Sequence, residues 1–132
     1  MSNYLMYPLI GFAIFYILYA KGLILANFNF VSPQEAMQIM QNEENNMTIL
    51  DVRTPDEYKM GHIKKSKLIP LQELSKRLDE LQKFKSKKII VYCASGSRSI
   101  AASRLLEKNG FTPYNMNGGI NNWSANEYKV TK

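Results

Sequence analysis

The alternation of apolar and polar positions divides the chain in two. From Ser2 to Ala20 there is no charge, and the apolar run continues to Ala26 with Lys21 as its one interruption. Tyr4 to Ala26 spans 23 residues, about the length a helix needs to cross a bilayer. Tyr4 and Tyr7 near one end, with Tyr16 and Tyr19 toward the other, fit two interfacial aromatic belts. Lys21 suits a snorkelling position, and Pro8 falls in the first turns, where a helix tolerates it. Residues 1–26 are therefore read as a transmembrane anchor. A cleaved signal peptide is the main rival, but no Lys or Arg precedes Tyr4, and Leu18 stands where cleavage after Ala20 needs a small residue. A buried core helix is the plainer alternative.

From residue 27 to 132 the pattern switches to short apolar runs alternating with helical periods. Phe28 to Phe30 reads as an edge strand. Ser32-Pro33-Gln34-Glu35 reads as a capping box with Pro at the first helical position, opening a helix to about Gln41. Asn42 to Asn46 is a polar loop, and Thr48 to Val52 a strand ending in charge. Thr54-Pro55-Asp56-Glu57 is a second capping box, opening a turn through Tyr58. Lys67 to Ile69 is a brief strand. Leu71, Leu74, Leu78 and Leu81 recur at helical spacing and predict an amphipathic helix from about Pro70 to Lys83. Lys88 to Tyr92, continuous and β-branched, is the clearest strand buried on both faces. A helix follows from Ser97 or Ser99 to Asn109, stopped by Gly110. Phe111 to Asn115 reads as another strand, Gly118-Gly119 as a turn and Ile120 to Tyr128 as a last helix. Strands alternating with helices predict an α/β domain with a mainly parallel central sheet flanked by helices.

Length and composition narrow the function. With 132 residues the chain has room for one domain of modest core. Its formal net charge of +6 suits an anionic membrane face or an anionic small substrate. Nucleic acid is not expected as a partner, because no zinc-finger spacing, RNP-like aromatic motif or Arg-rich tract is present. Residues 59–88 hold ten Lys/Arg against three acids, which reads first as a solvated face and second as a surface for anionic lipid. One Cys and one His allow neither an internal disulfide nor a structural zinc site, and no metal or organic cofactor is expected.

That single thiol, Cys93, lies where the strongest strand ends and a helix begins. Between them runs Ala94-Ser95-Gly96-Ser97-Arg98. In open α/β sheets ligands bind beyond the carboxyl ends of the strands. A helix amino terminus supplies unpaired N–H groups and a positive dipole end. A short loop with Gly96 and small side chains turns successive N–H groups inward as a nest for an anion, and Arg98 adds a permanent charge. Each feature favours a thiolate over a thiol. The plain alternative is an inert Cys at a strand end.

The loop Cys93-Ala94-Ser95-Gly96-Ser97-Arg98 resembles the Cys-x-x-Gly-x-Arg motif of the rhodanese family. Leu50-Asp51-Val52-Arg53 with Asp56-Glu57-Tyr58 resembles that family's first signature. Gly61-His62-Ile63 with Ile69-Pro70 resembles its second, and Gly118-Gly119-Ile120 with Trp123 its last. The resemblance covers roughly Phe28 to Tyr128. The chain departs from the pattern at Lys65 and Ser66, where Gly-Ala is usual, and at Ala94, where many thiosulfate-using members carry a basic residue.

What the resemblance implies is a sulfurtransferase. Cys93 would take sulfane sulfur from a small anionic donor such as thiosulfate, hold it as a persulfide and pass it to a thiol or cyanide acceptor. The loop N–H groups from Ala94 to Ser99, together with Arg98, would bind the anionic donor and stabilise the persulfide. Asp51 and Arg53 are read as supporting residues behind the loop, His62 as a packing and hydrogen-bonding residue of a turn, and Trp123 as core. A Cys-based phosphatase is disfavoured, since its loop holds one more residue between Cys and Arg. A non-catalytic rhodanese-like module, or a protein-to-protein sulfur relay at the membrane, is the alternative function. The expected location is the inner or plasma membrane, single-pass, with the catalytic domain cytoplasmic because Lys21 and a basic domain follow the apolar run. Export after signal cleavage is the alternative.

Overall fold

The continuous apolar run at residues 88–92 forms the middle strand of a five-stranded parallel sheet. The computed structural model of the protein describes residues 3–24 and 26–132. Its strands are β1 (Asn29–Val31), β2 (Met47–Asp51), β3 (Lys67–Leu68), β4 (Lys88–Tyr92) and β5 (Thr112–Met116), in the order β1-β5-β4-β2-β3. Every pairing is parallel, as the alternation of elements predicts. Because side chains alternate across a strand, β4 feeds two cores. Ile89, Val91 and Cys93 face Leu74, Leu81, Ala102 and Leu106. Ile90 and Tyr92 face Ala36, Ile120 and Trp123.

Among the described residues six α-helices accompany the sheet: α1 (Met6–Ala20), α2 (Pro33–Asn42), α3 (Pro55–Met60), α4 (Leu71–Leu74), α5 (Ser97–Lys108) and α6 (Gly119–Ala125). Both capping boxes form. Ser32 and Glu35 exchange side-chain-to-amide hydrogen bonds of 3.1 Å each way at the start of α2. Thr54 and Glu57 do the same at 3.2 and 3.1 Å at the start of α3.

Two expectations are corrected. The predicted helix over 70–83 is broken into α4 and a 3₁₀ segment, Leu78–Phe84. Tight turns at residues 73–77 separate them, with Lys76 N–H donating to Glu73 O and Arg77 N–H to Leu74 O. Arg77 clamps the break by pairing with both Glu73 and Glu80. Leu74 and Leu81 still reach the core, so the leucine spacing marked burial correctly and helix continuity wrongly.

The predicted transmembrane helix over 4–26 is likewise not formed as one span. Three residues of the 1–26 segment, at positions 1, 2 and 25, lie outside the described residues. Helix α1 has 15 residues and rises about 22 Å, against about 30 Å for a hydrocarbon core. Among the described residues no helix is long and apolar enough to cross a membrane. The stop signal is Gly22. It takes φ +72°, and Leu23 N–H bonds to Leu18 O while Gly22 N–H bonds to Tyr19 O, a Schellman closure. Gly22 then packs against the Phe30 ring and the tip of Ile100. Arg104 of α5 secures this end. Its guanidinium stacks 3.7 Å from the Tyr19 ring centroid and donates to the carbonyls of Tyr19 and Ile24. The body of α1 buries none of its side chains.

Candidate functional site

Strand β4 delivers Cys93 to the carboxyl edge of the sheet, and α5 begins four residues later. The turn between them is possible because Gly96 adopts φ +120°, a region that side chains disfavour. Its amide thereby points at the sulfur and donates to Cys93 Sγ at 3.0 Å. Ser99 Oγ lies 3.5 Å from Sγ and donates its own proton to Gly96 O at 3.0 Å. The amides of Ser97, Arg98 and Ser99 open α5 and have no intrahelical acceptor. Cys93 is only 1% exposed, while in the loop beside it Ser95 and Ser97 are exposed and Ala94 is half-buried.

The opposite side of the loop is held by α6. Ile120 N–H donates to Cys93 O at 2.9 Å and Asn121 N–H to Ala94 O at 3.1 Å. These bonds draw two loop carbonyls away from the mouth. Gly119 makes that approach possible, because a Cβ there would sit 2.4 Å from Cys93 O and 2.5 Å from Ala94 O. The Gly118-Gly119 pair, expected only as a turn, is thus part of the loop's support.

Arg98 is paired with an acid of α3. Its Nη1 and Nη2 donate to Glu57 Oε1 and Oε2 at 2.7 and 2.8 Å, a forked ion pair about one-third exposed. The Arg98 guanidinium is the main reason the Glu57 carboxyl is held down at about 2, helped by bonds from Thr54. Glu57 in turn raises the proton affinity of Arg98. Glu57 reads from the sequence as a capping residue and part of the first signature, and its pairing with Arg98 is what sequence reasoning misses. Its Oε1 performs both tasks, accepting from Thr54 N–H and from Arg98. An acid in the turn after β2, next to the strand that carries the loop, was the available signal.

Asp51 and Arg53 form a buried pair with Nη2–Oδ2 at 2.7 Å, and Arg53 also donates to Gly61 O at 2.8 Å. They brace the Gly61-His62-Ile63 segment and make no hydrogen bond to the 93–99 loop among the described residues. Tyr92 joins the same layer. Its hydroxyl accepts from Ile63 N–H at 3.0 Å and meets Ser66 Oγ at 3.1 Å, and burial pushes its ionisation upward. Ser66, a departure from the family pattern, thus has a structural partner. His62 stacks on Tyr58 at 3.6 Å and its Nδ1 lies 2.8 Å from Tyr58 O, the turn role expected of it. Trp123 is buried and donates to Lys129 O at 3.0 Å. The basic run at 59–88 pairs repeatedly with acids, through Lys65–Glu44, Lys67–Glu80 and Lys88–Glu43. Among the described residues no group of His, Cys, Asp and Glu is arranged to hold a metal ion.

The profile of the rhodanese-like domain matches residues 32–126. The uncharacterized protein YqhL of Bacillus subtilis (strain 168) is 34% identical over 115 residues, covering 83% of this chain and 90% of that protein. The putative sulfur carrier protein YrkF of the same organism is 36% identical over 92 residues, covering 69% of this chain and 49% of YrkF. Among solved structures, a rhodanese-related protein from Thermoplasma volcanium superposes with a TM-score of 0.71 at 32% identity, over 79% of this chain and 98% of that one.

Proposed function

This chain belongs to the rhodanese-like domain family, and on that premise we propose that it is a sulfurtransferase working through a persulfide on Cys93. The observation that carries this reading is the Gly96 amide aimed at Cys93 Sγ at 3.0 Å, at the start of a helix. In the first half-reaction the Cys93 thiolate attacks the outer sulfur of thiosulfate. A Cys93 S–S bond forms, the donor S–S bond breaks and sulfite leaves with the electron pair. In the second half-reaction a thiolate or cyanide attacks the outer sulfur of the persulfide and Cys93 departs as thiolate. Residues 94–99 bind the anions through their amides, and Asp51 and Arg53 keep the strand end behind the loop in register.

The test is intact-mass analysis before and after thiosulfate. A gain of one sulfur, removed by cyanide and absent in Cys93→Ser, is the expected result. Thiosulfate:cyanide turnover retained in Cys93→Ser would sink the mechanism.

A sulfur relay from or to another protein is the second reading. Two observations favour it: Ala94 brings no charge to the mouth, and Arg98 is engaged with Glu57. The similarity to YrkF, a putative sulfur carrier, points the same way.

The proposed setting is the inner or plasma membrane, with residues 4–26 as the attachment and the domain in the cytoplasm. An uncharged α1 whose side chains from Met6 to Ile17 are exposed supports attachment, and Lys21 with the basic face at 59–88 supports the orientation. Carbonate extraction, and labelling of Cys93 by an impermeant thiol reagent on intact cells, check it. Labelling before lysis, or a processed amino terminus, would overturn it.

A further inference from the structure

Beside the Cys93 loop a groove of about 440 Å³ lies between α1 and α5. A volume of that size suits a small organic ligand. One wall is Tyr16, Tyr19 and Ala20 of α1. The other is the α5 stripe through Ala101 and Leu105, with Leu71 at its side. The polar groups on the lining are the two tyrosines, Ser97 and three cations, Arg98, Arg104 and Lys108, and no carboxylate takes part. Ser97 and Arg98 belong to the loop that holds Cys93. One end of the groove therefore adjoins that loop, and the groove runs along α5 to the exposed Lys108, a rise of about 15 Å.

An apolar trough with a sulfur site at one end and a cation at the other matches a particular ligand class. We propose that the groove binds an amphipathic organic thiol, its apolar body against Ala101, Leu105 and the tyrosines and its anionic group at Lys108, as the sulfur acceptor of Cys93. The proposal rests on the sulfurtransferase reading. Its thiolate attacks the outer sulfur of the Cys93 persulfide, forming R–S–S⁻ while the S–S bond to Cys93 breaks and Cys93 leaves as thiolate. No outside oxidant or reductant enters the step. Each methylene buried adds to affinity, so even partial cover separates a long acceptor from a short one.

The experiment compares mercaptoundecanoate with mercaptopropionate as acceptors for the full chain, using thiosulfate as donor. The longer thiol is expected to show kcat/KM higher by about tenfold or more. Ala101→Trp, which fills the exposed middle of the groove, is expected to erase that preference and leave thiosulfate:cyanide turnover within about twofold. Lys108→Glu, at the exposed rim, is expected to weaken the preference without touching cyanide turnover. Equal use of both thiols by an enzyme that turns over cyanide would overturn the groove while leaving the sulfurtransferase reading intact. A preference that survives Ala101→Trp would also overturn it, placing the amphiphile on the outer face of α1 or in lipid. Should cyanide turnover itself be missing, calorimetry with dodecanoate, which has no thiol, decides the groove separately. Saturable binding weakened by Ala101→Trp supports an amphiphile site, and equal binding by both proteins overturns it.

Discussion

Replacing Gly119 with Ala tests whether α6 holds the catalytic loop in shape. At φ +61° the new side chain incurs the left-handed penalty of roughly 1–2 kcal/mol. Its Cβ also lands 2.4 Å from Cys93 O and 2.5 Å from Ala94 O, both main-chain atoms that cannot rotate aside. Separating them stretches the Ile120-to-Cys93 and Asn121-to-Ala94 hydrogen bonds, each worth about 1 kcal/mol. The sum is a destabilisation of about 3 kcal/mol, a large part of what a small domain has. Because the displaced atoms belong to the sulfur loop, kcat/KM for thiosulfate should fall by about tenfold or more as well. Gly118→Ala is the internal comparison. It shares the positive φ, at +76°, and its Cβ lands 2.5 Å from Asn122 Cβ, an atom fixed to the α6 backbone, so it strains α6 without meeting the loop carbonyls. It should cost at least about 1–2 kcal/mol and lower turnover less than Gly119→Ala does. Urea unfolding followed through Trp123, the one tryptophan, gives the stabilities, and thiosulfate:cyanide assays give the rates. Gly119→Ala with wild-type midpoint and wild-type turnover would refute the claim that α6 shapes the loop.

Arg98→Ala should raise the KM for thiosulfate more than it lowers stability. Its pair with Glu57 is partly exposed and worth at most about 1 kcal/mol, and initial-rate kinetics beside urea midpoints separate the two effects. Glu57→Gln should change the acid limb of the stability profile. The folded carboxyl titrates at about 2 against an ordinary 4.5, so its stabilisation is complete above pH 4.5 and is lost as pH falls toward 2. Urea midpoints across that window should fall less steeply in the variant. Some slope remains, since Glu80 is also held at about 2, chiefly by Arg77. An unchanged profile would mean that the Arg98–Glu57 pair does not persist in solution.

What could be read from the chain and what could not divide by distance along it. The strand at 88–92, the two capping boxes and the loop after Cys93 are local patterns, and they stand where the sequence predicts. The double duty of Glu57 was hidden because Arg98 lies 41 residues away and a capping box already explained the acid. The bonds from Ile120 and Asn121 to the loop carbonyls leave no trace in side-chain identity, since amides make them. Only Gly119, which has no room for a Cβ, hints at them. At Gly22 the signal was present and outweighed: hydropathy ran on to Ala26, while a glycine one residue past Lys21 marked the end of α1. At 70–83 the leucine rhythm serves α-helical and 3₁₀ turns equally well, and it could not register the break that Arg77 clamps.

The strand order also sets a timetable. Edge strand β1 waits for β5, with Asn29 opposite Tyr114, and the sulfur loop waits for the amides of residues 120 and 121. Cys93 is thus translated well before its supports exist. Closing such long intervals comes late in folding, since the entropy of closure must be met before the contacts reward it. During that interval the chain's single thiol belongs to an unsupported segment, open to any electrophile or disulfide in its surroundings. The same pairing that shapes the finished loop leaves its thiol without those supports until residues 120 and 121 are in place.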